Sequence, residues 1–523
     1  MRRSDARTSV NRSAALPAVL LALASLLIFP SLDHRYLWDD EAETALLAKN
    51  VLRFGAPVAW DGRDLVSQEC GADYDENYLW RQTPWLPIYA TALSFKLFGP
   101  STLAARLPFA VLGVLCVLSL YVVGASLFGE RATAGLAAAI LLLAVPFLLH
   151  VRQGRYYSLA IFGAIWTLYF FFGALRDRRF AVLGLALALG LVFHANYLLF
   201  FATLAGLATA SVAVTRDRQA ALRLAVAGLG ALVLILPWAP AFDLGARSGA
   251  TLAGLSFAGF FANLWGYAWR IELYALPAGL LAAVLVARAR LTRGRPAEWP
   301  HVRLTLALVL LVLGHLVFVA LTPFVFFRYA ITLLPALALL QACVIRAVWP
   351  VSRPLAVAAL ALALFVDRAD LLQGSVGSPL LKYVGEVTHD VGGPIRAIVT
   401  HLRAEARPGE RVFITYGDLP LRFYTELEIR GGQGCQSLAG WPLPDWIVAR
   451  YFFRFRSSGP GAQEDTERTL RYLRTEIPPE RYRRVDLPVA DTIWENIPEP
   501  DRHVFRAPTD RPPVTLYRKV DAR

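Results

Sequence analysis

Between residues 14 and 366 the chain is a succession of long apolar runs separated by short polar gaps, and the runs lack the alternation of a half-buried strand. They fall at about 14–30, 103–128, 132–149, 157–175, 180–193, 198–214, 224–241, 272–286, 304–322, 329–344 and 355–366. Runs of this length and composition predict about eleven membrane-spanning helices. Arginines test the count. Gaps assigned to one side carry Arg131, then Arg176, Arg178 and Arg179, then Arg216, Arg218 and Arg223, then Arg288, Arg290, Arg293, Arg295 and Arg303. The short gaps assigned to the other side carry far fewer: Arg152 and Arg155, none around His194, Arg247 and Arg270, then Arg328. The positive-inside rule then puts residues 1–13 in the cytoplasm, and an odd number of spans puts the chain's end on the opposite face.

Two segments break the apolar pattern. Residues 31–106 form a long exterior loop within a transmembrane domain spanning 14–371. Within that loop Trp60-Asp61-Gly62 reads as a turn, and Thr83 followed by Pro84 predicts a capped helix over 85–98 that stops at Gly99-Pro100. At about 1.5 Å per residue such a helix is too short to cross and is expected to lie along the membrane surface. Residues 372–523 read as a soluble exterior domain of α/β type, with 411–416 and 446–449 as buried strands. The fold expected is a polytopic α-helical membrane protein carrying a small C-terminal exterior α/β domain.

Composition agrees: 523 residues, 56% hydrophobic, exclude an ordinary soluble enzyme. The net charge of +13 comes from arginines scattered through the gaps, so topology explains it and a nucleic-acid partner is not implied. Lysine occurs only at Lys49, Lys96, Lys382 and Lys519, and the arginine-rich, Ala- and Leu-rich composition points to a bacterial source and an inner-membrane location. The four cysteines, Cys70, Cys116, Cys343 and Cys435, include no CxxC pair, which argues against a zinc or dithiol motif. Cys70 and Cys435 both fall on the exterior side, where a disulfide between loop and tail and two separate thiols are equally open.

The chemistry concentrates at Trp38-Asp39-Asp40-Glu41, directly after the first run. Locally, Asp40 stands where an N-cap would and Glu43 three residues on completes a capping box, with the helix running from Glu41 to Phe54 until Gly55 and Pro57. The same carboxylates could serve as a general base, or as ligands to a divalent cation, whose involvement is open. No P-loop, GxGxxG or HExxH is present, which removes nucleotide-driven pumping and zinc hydrolysis.

Several stretches, taken in order, resemble the GT-C glycosyltransferases of the dolichyl-phosphate-mannose protein mannosyltransferase and lipid A aminoarabinose transferase type. They are Trp38-Asp39-Asp40-Glu41; Thr83-Pro84-Trp85-Leu86-Pro87-Ile88-Tyr89; Leu97-Phe98-Gly99-Pro100-Ser101 with Ala105-Arg106-Leu107-Pro108; Arg155-Tyr156-Tyr157-Ser158-Leu159; and Phe327-Arg328-Tyr329. The resemblance implies a membrane enzyme that moves one sugar from a polyprenyl-phosphate carrier to an acceptor hydroxyl on a lipid, glycan or protein, at the extracytoplasmic face, by inverting displacement. It implies Asp40 as the base, with Glu41 orienting the acceptor or the helix and Asp39 as a further candidate. The lipid phosphate gains charge as the sugar leaves, so cations must meet it. Arg155 and Arg328, at exterior ends of spans, are the first candidates, with Arg81 and Arg106 behind them. Tyr156 and Tyr329 flank the two arginines, and His194 is a second acid-base candidate. Where the aminoarabinose transferases have an acidic-basic pair before paired prolines, this chain has Arg81-Gln82 and only Pro84, so neither aminoarabinose nor lipid A is implied. The competing reading, a transporter or lipid flippase, calls for repeated halves and paired broken spans, and no internal repeat is evident.

Overall fold

The computed structural model describes residues 4–215, 217–245, 256–292, 301–450, 467, 469–492, 496–506 and 510–520, with side chains from residue 15 onward. Arg216, Arg247, Arg293 and Arg295, used above for topology, lie outside that description. The chain divides into two compact units, one of residues 1–30, 109–385 and 498–501, the other of 31–108, 386–497 and 502–523.

The helical unit follows the apolar runs. Among the described residues of the whole chain, six helices are long and apolar enough to cross a membrane: Thr102–Phe128, Tyr157–Leu175, Tyr197–Val214, Arg218–Trp238, Val302–Val319 and Phe327–Val348. Two further pairs, Arg131–Leu143 with Val145–Val151 and Phe257–Tyr274 with Ala278–Leu291, are each bent by 67° at a short break. Pro146 is the second residue of the second piece of one pair and Pro277 directly precedes the second piece of the other. Proline has no N–H to give the preceding turn and its ring crowds that turn's carbonyl, so the helix stops and restarts. A single straight span over 272–286 is therefore corrected: Ala275 to Pro277 interrupt it. The runs at 14–30, 180–193 and 355–366 correspond to the shorter apolar helices Ala15–Ile28, Ala181–Ala195 and Arg353–Phe365.

Burial ranks these helices. Phe327–Val348 is 94% buried within the protein and forms the centre, whereas Arg218–Trp238 is 22% buried and leaves its apolar face for lipid. Tyr197–Val214 and Val302–Val319 approach through glycines. A Cβ on Gly206 would stand 2.7 Å from the Leu311 carbonyl oxygen, and one on Gly314 would stand 2.8 Å from that of Ala205, so both positions need glycine for the backbones to close.

The second unit is built on a sheet with order β2-β1-β3-β5-β4, made from β1 Arg411–Ile414, β2 Glu428–Gly431, β3 Trp446–Ala449, β4 Tyr482–Ala490 and β5 Pro513–Lys519. β1 runs parallel to β2 and β3, while β5 pairs antiparallel with β3 and β4. Helix Pro394–Glu405 lays Ile395, Ile398, Val399 and Leu402 on Val412, Ile414, Val448 and Leu516 of the sheet. A second core joins helices Asp39–Phe54 and Leu86–Phe98 to Leu419 and Phe423 of helix Asp418–Tyr424, and Cys70 and Cys435 form a disulfide across 365 residues of sequence. The Asp61 carboxylate accepts from the amides of Arg63 and Asp64, closing the turn expected there.

Two capping expectations are corrected. The helix after the first span begins at Asp39 with Trp38 as its uncapped N-cap, so Asp40 lies inside the first turn. Glu43 accepts instead from Gln68 Nε2 at 2.7 Å. Thr83 likewise does not cap: its hydroxyl accepts from Trp80 Nε1, and the helix starts at Leu86. Both stops stand as read, with Gly55 and Gly99 each at a φ of 78°, a conformation that glycine adopts without strain.

Candidate active site

Asp39, Asp40 and Glu41 fill the first turn of helix Asp39–Phe54, where amide dipoles favour negative charge. All three are buried, Glu41 completely. Burying a carboxylate this deeply requires a partner, and Arg106 supplies it. Its Nε and Nη2 meet the two Glu41 oxygens at 2.7 and 2.6 Å, a bidentate fork. The remaining Arg106 donors reach the carbonyls of Leu32 at 2.5 Å, Arg35 at 2.8 Å and Tyr36 at 3.4 Å, and Asn496 Nδ2 lies 3.3 Å from Glu41 Oε2.

The approach to the helix is held as firmly. Tyr36 stacks on Tyr424 with ring centroids 4.1 Å apart, and the Tyr424 hydroxyl accepts from the Leu37 amide at 2.9 Å. Arg35 pairs with Glu386 at 3.0 Å, and Glu386 also meets His503 Nε2 at 2.7 Å. The backbone entering Asp39 and Asp40 is thus fixed from several directions. Arg81 faces Asp75 at 2.9 Å, in the same unit.

The helical unit brings four of the other candidates together. Arg155 lies 5.8 Å from the ring centre of Tyr156, and Arg328 stands 4.3 Å from that of Phe326 and 5.8 Å from that of Tyr329. The Tyr156 hydroxyl feels the charge of both arginines. Arg155, Tyr156, Arg328 and Tyr329 therefore form one cationic, aromatic cluster, backed by His150, whose ring packs edge-on against Tyr157 and tilted against Phe327. His194 sits elsewhere, its ring edge-on to Trp238 and Phe193 at 5.3 Å.

Glu499 and Asn496 carry no signal of their own in the sequence except that Glu499 is held between Pro498 and Pro500. Glu499 is buried and accepts the amides of Phe327 and Arg328 at 2.6 and 3.3 Å. Among the described residues, no group of three His, Cys, Asp or Glu side chains converges as a metal site would require.

Residues 82–242 match the dolichyl-phosphate-mannose-protein mannosyltransferase family. The same fold recurs in the crystal structure of ArnT from Cupriavidus metallidurans bound to undecaprenyl phosphate, with a TM-score of 0.58 at 14% identity over 97% of this chain and 98% of that one. Over residues 82–242 this chain is similar to the mannosyltransferase family, and it shares the fold of the ArnT structure. The apo form of that ArnT matches this chain equally, with a TM-score of 0.58 at 15% identity and 98% of both chains covered. The oligosaccharyltransferase AglB from Archaeoglobus fulgidus, in complex with an inhibitory peptide and a dolichol-phosphate, aligns at a TM-score of 0.48 and 13% identity over 84% of this chain and 69% of that one. No curated protein sequence matches the chain. Of the candidates, Arg106, Arg155, Tyr156 and His194 fall inside the segment that matches the mannosyltransferase family, whereas Asp40 and Arg328 lie outside it.

Proposed function

We propose that this protein is a GT-C glycosyltransferase that transfers a single sugar from a polyprenyl-phosphate donor to an acceptor hydroxyl, by inverting displacement at the extracytoplasmic face of a bacterial inner membrane. The observation that carries the reading is the family match over residues 82–242, which includes Arg155 and Tyr156 of the cationic cluster. The fold relative from Cupriavidus metallidurans was crystallised with undecaprenyl phosphate, and the same carrier class is assigned here. The Cys70–Cys435 disulfide supports an exterior location, since such bonds persist in oxidising compartments.

In this reading Asp40 takes the proton of the attacking hydroxyl as its oxygen bonds to the sugar's anomeric carbon. The bond from that carbon to the phosphate oxygen breaks, and the electron pair leaves with the lipid phosphate. Proton removal of this kind contributes about 10²- to 10⁴-fold in rate. Arg155 and Arg328 meet the charge gained by the phosphate, and Tyr156 and Tyr329 flank them. Glu41 and Arg106 act by positioning, because their charges are spent on each other. Arg81 is an outlying cation engaged with Asp75.

The test is transfer of labelled sugar from polyprenyl-phosphate donors to membrane acceptors by the intact protein and by Asp40→Asn at equal folded yield. Loss of transfer with donor binding retained supports Asp40 as the base. Unchanged transfer removes it from the mechanism, and no transfer by the intact protein with any donor sinks the assignment.

A further inference from the structure

We propose that Glu499 is a positioning residue for the donor phosphate, acting by capping the helix that carries Arg328. The proposal rests on the reading that Arg328 meets that phosphate. Helix Phe327–Val348 starts without a cap of its own, for Phe326 at the N-cap position has no side-chain acceptor. Its first amides would be orphaned in a buried setting, at a cost that helix starts normally avoid by recruiting a polar side chain. Glu499 is that side chain, recruited from 171 or more residues away: Oε2 accepts the Phe327 amide at 2.6 Å and Oε1 the Arg328 amide at 3.3 Å. A carboxylate also suits the positive end of the helix dipole.

The cap is built to be stiff. Pro498 and Pro500 restrict the backbone on either side of Glu499, and Asp501 anchors the segment on Arg270 at 2.9 and 3.1 Å. Helix Phe257–Tyr274, which carries Arg270, also holds the chain leading into Arg328: Asn263 Nδ2 donates to the Thr322 carbonyl at 2.8 Å and the Tyr267 hydroxyl to that of Phe324 at 3.1 Å. Burial pushes the Glu499 carboxyl up from the ordinary carboxylate range, and the nearby Arg328 charge opposes that rise. Glu499 thus holds the Arg328 backbone, and the Arg328 guanidinium stands 4.3 Å from the ring centre of Phe326 and 5.8 Å from that of Tyr329.

The experiment measures binding of undecaprenyl phosphate and of undecaprenol, which lacks the phosphate, to the full chain in lipid nanodiscs. Wild type is compared with Glu499→Ala, Glu499→Gln and Asp501→Asn. Glu499→Ala is expected to weaken undecaprenyl phosphate about five- to tenfold while leaving undecaprenol unchanged, the size expected for loss of one cap. Glu499→Gln, which keeps one acceptor oxygen, should fall between, and serves as the working variant if the alanine protein does not fold. Asp501→Asn, which weakens the anchor and leaves both Glu499 oxygens in place, should weaken undecaprenyl phosphate less than Glu499→Ala does. In a transfer assay the donor KM should rise with kcat little changed. A Glu499 variant that keeps full preference for the phosphate, or one that loses both lipids equally, overturns the proposal. A wild type with no preference for the phosphate overturns the functional reading and the proposal with it.

Discussion

Removing Arg106 is the most informative perturbation of the acidic helix start. Glu41 is fully buried, so Arg106→Met would leave a carboxylate without its bidentate partner and strip hydrogen bonds from the carbonyls of Leu32, Arg35 and Tyr36. Two unit charges about 4 Å apart at an effective dielectric of about 20 attract by roughly 4 kcal/mol. Breaking a buried pair from one side typically costs about 3–5 kcal/mol, since the surviving charge keeps its desolvation penalty. In a unit of about two hundred residues, each kcal/mol lowers the midpoint by about 2–4 °C, so a fall of about 6–20 °C is expected. The assay is thermal unfolding of the detergent-solubilised protein, following the second unit by near-ultraviolet circular dichroism. Glu41→Gln alone should cost less, because Arg106 keeps its carbonyl partners. The double variant Glu41→Gln/Arg106→Met should be milder than the sum of the singles by over 1 kcal/mol, as coupled neighbours are. Strictly additive losses, or an Arg106→Met protein that melts with the wild type, would refute the buried-pair argument.

Three further outcomes follow from the geometry. Cys70→Ser should lower the unfolding midpoint by the equivalent of about 2–4 kcal/mol and abolish the mobility shift on non-reducing gels; a larger loss is not expected, because membrane-anchored helices already restrict the intervening chain. Burial depresses the Lys49 pKa, with Glu426 and Asp64 opposing, so the unfolded chain holds this proton more tightly. Stability should therefore rise with pH between the folded value and the ~10.4 of an exposed lysine, and melting curves of Lys49→Met should lack that part of the rise. Arg328→Lys should weaken undecaprenyl phosphate more than Arg81→Lys does, measured by equilibrium binding, because Arg81 is already paired with Asp75.

The membrane helices were legible because an apolar run long enough to span has few other stable outcomes, and Gly55 and Gly99 marked their helix ends in plain sight. The break at Pro277 was equally written in the chain, but the apolar run on either side of it outweighed a single proline. Helix starts read less well. Asp40 and Thr83 looked like caps by local spacing, yet Trp80 claims the Thr83 hydroxyl, and the helix after the first span begins one residue before Asp40. Local spacing also had no means of showing that Glu41 pairs with Arg106, 65 residues on, or that Glu499 caps a helix 172 residues before it. Such pairings depend on tertiary packing, so only the residue types could be named in advance, and their partners could not.

The unit that holds Asp40 has an interrupted order of synthesis. Its acidic helix leaves the ribosome early, but Tyr424, Phe423 and Leu419, on which that helix and its approach pack, follow after the membrane helices. Asn496, which touches Glu41, comes 455 residues later. At about 5–20 residues per second the helix waits roughly 20–90 s for its last partner. Throughout that interval the buried carboxylates have no completed core around them, so a nascent chain stopped before the tail can insert its spans and still lack a formed acidic centre.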